Sequence, residues 1–182
     1  GLKQTEVRPG QLVVISGVGG LGHIAVQYAI AMGMRVVAVD VDPAKLALAA
    51  EHGAEVTVNA READPIVAVQ EAIGGAHGVL VTAVHPTAFS QALGMTRRGG
   101  TIVLVGLPPG DFEANIFDVV LRGLTIRGSI VGTRQDLQEA IDLYAAGKIP
   151  PTVSVEDLDE AANVLARLEK GQVEGRVVLS VD

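Results

Sequence analysis

The sequence predicts a doubly wound α/β fold: a six-stranded parallel sheet with helices on both faces, followed by a C-terminal helix-strand appendage. Three observations carry this expectation. Short β-branched runs alternate with longer helical segments through the first 150 residues, which is the pattern of successive βαβ units. Turn residues such as Gly74-Gly75 and Gly99-Gly100 stand at the joins. The stretch SGVGGLG, residues 16–22, sits between the first apolar run and the first helical segment, where doubly wound sheets carry their ligand loop.

The elements follow in order. QLVVIS predicts a strand over 11–16, apolar throughout, as a strand buried on both faces of a parallel sheet should be. A helix is expected over 20–33 and a second strand over 35–40. Asp42-Pro43 then opens a helix over 43–52, with an N-cap acceptor followed by proline at the first helical position. Further strands are expected over 56–59, 78–83, 100–105 and 124–130, separated by helices over 64–73, 86–97 and 115–122. A helix from Thr133 to Gly147 precedes the rigid break at Lys148-Ile149-Pro150-Pro151. The tail reads as a strand over 153–155, a helix over 157–170 closed by Gly171, and a strand over 175–182. The expected division is a dinucleotide-binding domain over 1–150 and a C-terminal segment over 151–182.

Composition narrows the chemistry. The chain has 182 residues, enough for one sizeable core, and 48% of them are hydrophobic. Fourteen basic against twenty-one acidic side chains give a formal charge of -7, which argues against nucleic-acid and acidic-membrane partners. Zero cysteines exclude disulfides, thiol catalysis and thiolate metal sites. His23, His52, His77 and His85 show no metal-ligand spacing. No apolar run is long enough to span a bilayer and no leader opens the chain, so a cytoplasmic address is the default expectation. The start at Gly1 suggests a piece of something longer.

Gly17, Gly19 and Gly22 spell G-x-G-x-x-G between a strand and a helix. The first permits the sharp turn, the second lets backbone approach a pyrophosphate, and the third lets the helix sit close to the sheet. The helix start adds unpaired N–H groups and a partial positive charge. Asp40 ends the second strand eighteen residues past Gly22, where its carboxylate accepts from both ribose hydroxyls and repels a 2'-phosphate. These features predict a Rossmann domain that binds NAD in preference to NADP, with Lys45 within reach of the same ribose edge. The plainer alternative makes Asp40 and Asp42 a solvated strand end and a helix cap ahead of Pro43.

Catalytic groups are harder to find. Tyr144 and Lys148 form Y-x-x-x-K, the tyrosine-lysine pair of short-chain dehydrogenases, but the glycine spacing here is not that family's, and an ordinary helix ending in lysine is the better reading. His85, after the fourth strand, is a candidate general base or a contact at the cofactor rim, although His85-Pro86 also begins a helix. His23, on the first turn of the phosphate helix, reads as packing or a weak phosphate contact. His52 and His77 read as a helix end and a loop, and Met32 and Met34 as core.

SGVGGLGHIAVQYAIAMG, AVDVDPAKLALAAEHGA, GVLVTAV, RRGGTIVLVGLPPG and LTIRGSIVGTRQDLQEA together resemble the cofactor-binding half of the zinc-dependent, medium-chain alcohol dehydrogenases, in particular the bacterial propanol-preferring type. The likeness covers essentially the whole chain. It implies an intact subunit with a preceding GroES-like catalytic domain that holds the catalytic zinc, so that zinc would not be bound by this chain and no catalytic residue would lie in it. It further implies hydride transfer between a primary alcohol or aldehyde and NAD(H). By resemblance, Gly19, Gly20, Leu21 and Gly22 line the pyrophosphate, with Asp40 and Lys45 on the adenosine ribose. Thr82, Ala83 and Val84 close over the dinucleotide, while Val105, Gly106, Leu107, Ser129, Ile130 and Val131 meet the nicotinamide. Arg176 pairs with the pyrophosphate, and the tail returns to the catalytic domain. Ile30 and His85 depart from the residues usual in the family at those positions.

Two rivals remain on sequence grounds. A stand-alone NAD(H)-sensing module needs the same fold without catalytic groups. An adenosylmethionine-dependent methyltransferase needs an acid where Ser16 stands. The apolar edge LTIRGSI predicts a homo-oligomer.

Overall fold

The computed structural model describes residues 1–181; Asp182, the end of the strand expected over 175–182, lies outside the described residues. Six parallel strands form the main sheet: β1 (Leu12–Ser16), β2 (Arg35–Asp40), β3 (Val56–Asn59), β4 (Ala76–Val81), β5 (Thr96–Leu104) and β6 (Thr125–Gly128). Their order is β3-β2-β1-β4-β5-β6. The chain therefore winds outward one way from β1 and the other way from β4, which places the topological switch point between those two strands.

Alternation along the strands divides the core. Val14 on β1, Val37 and Val39 on β2, and Val79 and Val81 on β4 face one side, where Phe89, Leu93 and Met95 cover them. Val13, Ile15, Val36, Ala38 and Leu80 face the other, against Val26, Ala29 and Leu46. The helices that supply these covers are α1 (Gly22–Ala31) and α2 (Pro43–Glu51) on one face and α3 (Pro65–Ile73) and α4 (Pro86–Met95) on the other. All five residues of β1 are buried, as expected for a strand with helices on both faces.

The helix starts follow from capping chemistry. Asp42, Asp64 and His85 each precede a proline and accept from the backbone N–H two residues on, so each helix begins where an acceptor meets a preset φ. α5 (Ile116–Arg122) is capped by Asn115, and α6 (Arg134–Ala145) opens on a capping box between Thr133 and Asp136.

Three expectations need correction. The first helix begins at Gly22, not residue 20, so Gly19 to Leu21 belong to the turn. β5 begins at Thr96 and takes in Gly99 and Gly100, because the pairing with β4 shifts register between Ala76 and Gly78, and glycine tolerates that irregularity. His77 lies within β4, not a loop, and its Nδ1 accepts from the Leu12 N–H at 3.3 Å.

The tail forms its own small unit. β7 (Val153–Asp157) and β8 (Arg176–Ser180) pair in parallel across a 3-10 turn and α7 (Ala161–Glu169). Arg167 on α7 reaches back to the Glu156 carboxylate at 2.5 Å and ties helix to strand.

Candidate functional site

The carboxyl ends of β1 and β4 are joined directly. Thr82 and Ala83 donate their N–H groups to the Ser16 carbonyl at 2.9 and 3.0 Å. The Thr82 hydroxyl donates to the Gly17 carbonyl at 2.5 Å. Gly17 holds a φ of +95°, and a Cβ there would stand 2.5 Å from the Ala83 nitrogen. The turn is thus locked onto the switch point by a residue that must be glycine for two independent reasons.

The three glycines separate by role. A Cβ on Gly22 would collide with the Gly17 carbonyl, so Gly22 lets the helix close on the turn. A Cβ on Gly19 would meet nothing within 4 Å. No internal contact requires glycine there, and the space beside it stands open.

Backbone donors gather at this turn. Val18 donates to Asp40 Oδ2 at 2.6 Å, and Val41 and Asp42 donate to Asp40 Oδ1 at 2.7 and 3.0 Å. The next four N–H groups, from Gly19 to Gly22, have no acceptor among the described residues. Beside them lies Arg176: a Cβ on Gly20 would come 2.8 Å from its Nη1 and 3.3 Å from the Gly175 carbonyl. Free N–H groups at a helix start with a guanidinium alongside suit an anion. Asp40 spends three of its roughly four acceptor positions on backbone, which fixes the carboxylate at the end of β2 and leaves capacity for a hydroxyl donor.

Lys45 adopts a different contact from the one expected. Its ammonium lies 3.3 Å from the Gly171 carbonyl and 3.8 Å from Asp42, and its side chain is only 16% exposed. It joins the C-terminal tail to the start of α2. Arg176 and Lys45 therefore both link residues past Pro150 to the glycine-turn side of the sheet.

Beyond the turn, a cleft of about 770 Å³ opens at the ends of β5 and β6. Val105 and Gly106 donate to the Val81 carbonyl at 3.0 Å each, and Ser129 donates to the Leu104 carbonyl at 3.0 Å, so backbone positions the floor. A Cβ on Gly106 would strike the Ala83 carbonyl. The rim is apolar and open: Leu107 is 85% exposed, Ile130 86% and Val131 94%. Val131 also holds a φ of +49°, a strained conformation for a β-branched residue. Leu21 lines the same cleft, whereas Val84, also exposed, does not. Phe89 and Phe112, with ring centroids 5.8 Å apart, also line it. Phe112 was not expected, because it sits in an aperiodic loop.

The histidines separate too. His85 caps α4, accepting from the Thr87 N–H at 3.3 Å. His23 is fully buried, and burial pushes its imidazole below the usual histidine value. Tyr144 is 58% exposed on α6. Among the described residues no cluster of three or more His, Cys, Asp or Glu could hold a metal ion, and no helix is long and apolar enough to cross a membrane.

Comparison with known proteins extends this geometry. The family model described as zinc-binding dehydrogenase matches residues 20–146. An alcohol dehydrogenase of Moraxella sp. (strain TAE123) is 61% identical over 179 residues, 98% of this chain and 53% of the relative. One from Rhizobium meliloti (strain 1021) is 52% identical over the whole chain and 54% of its own length. The chain thus spans about half the length of the curated relatives it matches. Among solved structures, the alcohol dehydrogenase of the hyperthermophilic archaeon Aeropyrum pernix superposes with a TM-score of 0.91 at 36% identity, over 98% of this chain and 52% of that one. Acetophenone reductase from Geotrichum candidum, solved in complex with NAD, gives 0.83 at 29% identity over 98% and 50%.

Proposed function

Because the chain belongs to the zinc-binding dehydrogenase family, we propose that it is the cofactor-binding half of an NAD-dependent alcohol dehydrogenase. The observation that carries this reading is the glycine turn, with its four free N–H groups and the Arg176 guanidinium on Gly20. We assign residues 1–150 to a dinucleotide-binding domain and 151–182 to a C-terminal segment that reaches back over it.

Each group has a task in this reading. The N–H groups of Gly19, Gly20, Leu21 and Gly22 and the side chain of Arg176 hold the diphosphate. Gly17 shapes the turn. Asp40 accepts from the adenosine ribose and excludes a 2'-phosphate by charge and by its fixed position. Lys45 supports that edge, and in leaving the Gly171 carbonyl it would gain the ribose. Thr82, Ala83 and Val84 bound the middle of the cofactor. Val105, Gly106, Leu107, Ser129, Ile130 and Val131 meet the nicotinamide with backbone polar groups and apolar side chains. Bound NAD supplies the hydride acceptor.

Zinc does not fit the described residues, which offer no thiolate and no ligand cluster. In this proposal zinc and the groups that activate a primary alcohol or aldehyde belong to the part of the relatives that this chain does not span. We also assign the protein to the cytoplasm. The free edge of β6, with Ile126 36% exposed, suits pairing with a second copy. No observation favours a stand-alone sensor.

The test is an assay of the 182-residue chain with NAD, propanol and added zinc. No turnover is expected. Alcohol-dependent formation of NADH by this chain alone would overturn the division of labour.

A further inference from the structure

We propose that His23 is a positioning residue for cofactor binding: its ring, held as the Nδ1–H tautomer, pins the Gly19 carbonyl and so aims the Gly20 N–H at the diphosphate. The inference deepens the NAD-binding reading above and rests on it.

The geometry begins with one oxygen that accepts twice from one residue. The Gly19 carbonyl receives the backbone N–H of His23 at 3.1 Å, and His23 Nδ1 also lies 3.1 Å from it. A carbonyl can only accept, so the hydrogen sits on Nδ1. Full burial disfavours an imidazolium. A charged ring would also need an acceptor at Nε2, which has no partner among the described residues. The permanently charged guanidinium of Arg176 opposes a second charge as well. Burial and neighbours thus select a neutral ring with its one hydrogen directed at Gly19.

The consequence runs through covalent geometry. In a trans peptide the C=O and the following N–H point in opposite directions. A Gly19 carbonyl drawn toward α1 therefore sends the Gly20 N–H outward, on the residue against which Arg176 lies. This peptide is flanked by glycine on both sides, so local sterics offer little to hold its orientation. The second hydrogen bond from the imidazole supplies that restraint.

Two measurements test the proposal. Imidazole 15N spectra of the chain are expected to report the Nδ1–H tautomer for His23; the Nε2–H tautomer would overturn it without reference to any ligand. NADH titration of His23→Asn and His23→Gln supplies the second test. Asparagine keeps a donor where Nδ1 stood, whereas glutamine moves the donor one atom further out. We expect His23→Asn to bind NADH within about threefold of the unmodified chain and His23→Gln about tenfold more weakly, about 1.4 kcal/mol. Equal losses would reduce His23 to packing and overturn the proposal. If the unmodified chain failed to take up NADH, the cofactor reading would fall while the tautomer still decided for or against the pin. If either variant failed to fold, the tautomer would decide in the same way.

Discussion

The guanidinium of Arg176 lies over Gly20, close enough that a single methyl group on the glycine would stand 2.8 Å from Nη1. The two residues are 156 positions apart, yet they form one face. Gly175, with φ +61° and no room for a Cβ beside the Thr152 carbonyl, sets the start of β8 that aims the arginine there.

Arg176→Ala should therefore weaken NADH about tenfold, the usual scale for losing a charge-assisted contact to phosphate. Its effect on adenosine, which has no phosphate, should be negligible. Titration of both ligands checks this, and equal losses would show that Arg176 serves the fold and not the diphosphate.

The glycines of the turn should part company when each is changed to alanine. Gly22→Ala forces its methyl into the Gly17 carbonyl and Gly17→Ala adds a disfavoured φ, so each should cost about 3 kcal/mol in a urea melt. Gly19→Ala meets no neighbour and should change stability by less than about 0.5 kcal/mol, while weakening NADH at least about tenfold. A Gly19→Ala chain that binds as well as the unmodified one would count against diphosphate at that position.

Asp40→Gly should narrow the preference for NADH over NADPH by about tenfold or more, because it removes both the ribose acceptor and the charge that repels a 2'-phosphate. It also frees the Val18 N–H, so some stability should go with it. Parallel titrations with the two dinucleotides read the ratio, and an unchanged ratio would sink the role given to this carboxylate.

Much of this was legible in the sequence because the physics is local. A strand, three spaced glycines, a helix and an acid at the next strand end are set by backbone sterics and hydrophobic period, and they follow in the expected order, with the helix starting two residues later than expected. Asp42-Pro43 and Asp64-Pro65 marked helix starts because a cap acts within two residues. What sequence could not supply is tertiary. Lys45 meets the Gly171 carbonyl 126 residues away, and no spacing rule reports such a contact. The ring of His23 reaching back to Gly19 follows an i−4 geometry that is visible only once the helix start is fixed at Gly22. Gly99-Gly100 looked like a turn because glycine signals both turns and bulged strands, and only pairing with β4 separates them.

The N-terminal segment offers a pH test. Lys3 bridges Asp136 at 2.9 Å and Glu139 at 2.5 Å. Its ammonium, helped by Thr133, holds the Asp136 carboxyl well below its ordinary value of 3.8. A carboxyl depressed in the folded state adds stability above its unfolded value and loses it as pH falls toward the folded one. The stability difference between the unmodified chain and Asp136→Asn should be present near neutrality and shrink progressively below about 3.8. Urea midpoints of both across that range decide it, and a constant difference down the acid limb would show that Asp136 acts without its charge.

The most direct test is calorimetric titration of the 182-residue chain with NADH and with NADPH. Saturable binding of one NADH per chain is expected, at least about tenfold tighter than NADPH. Absence of measurable heat and of fluorescence change with NADH, or equal affinity for the two dinucleotides, would contradict it.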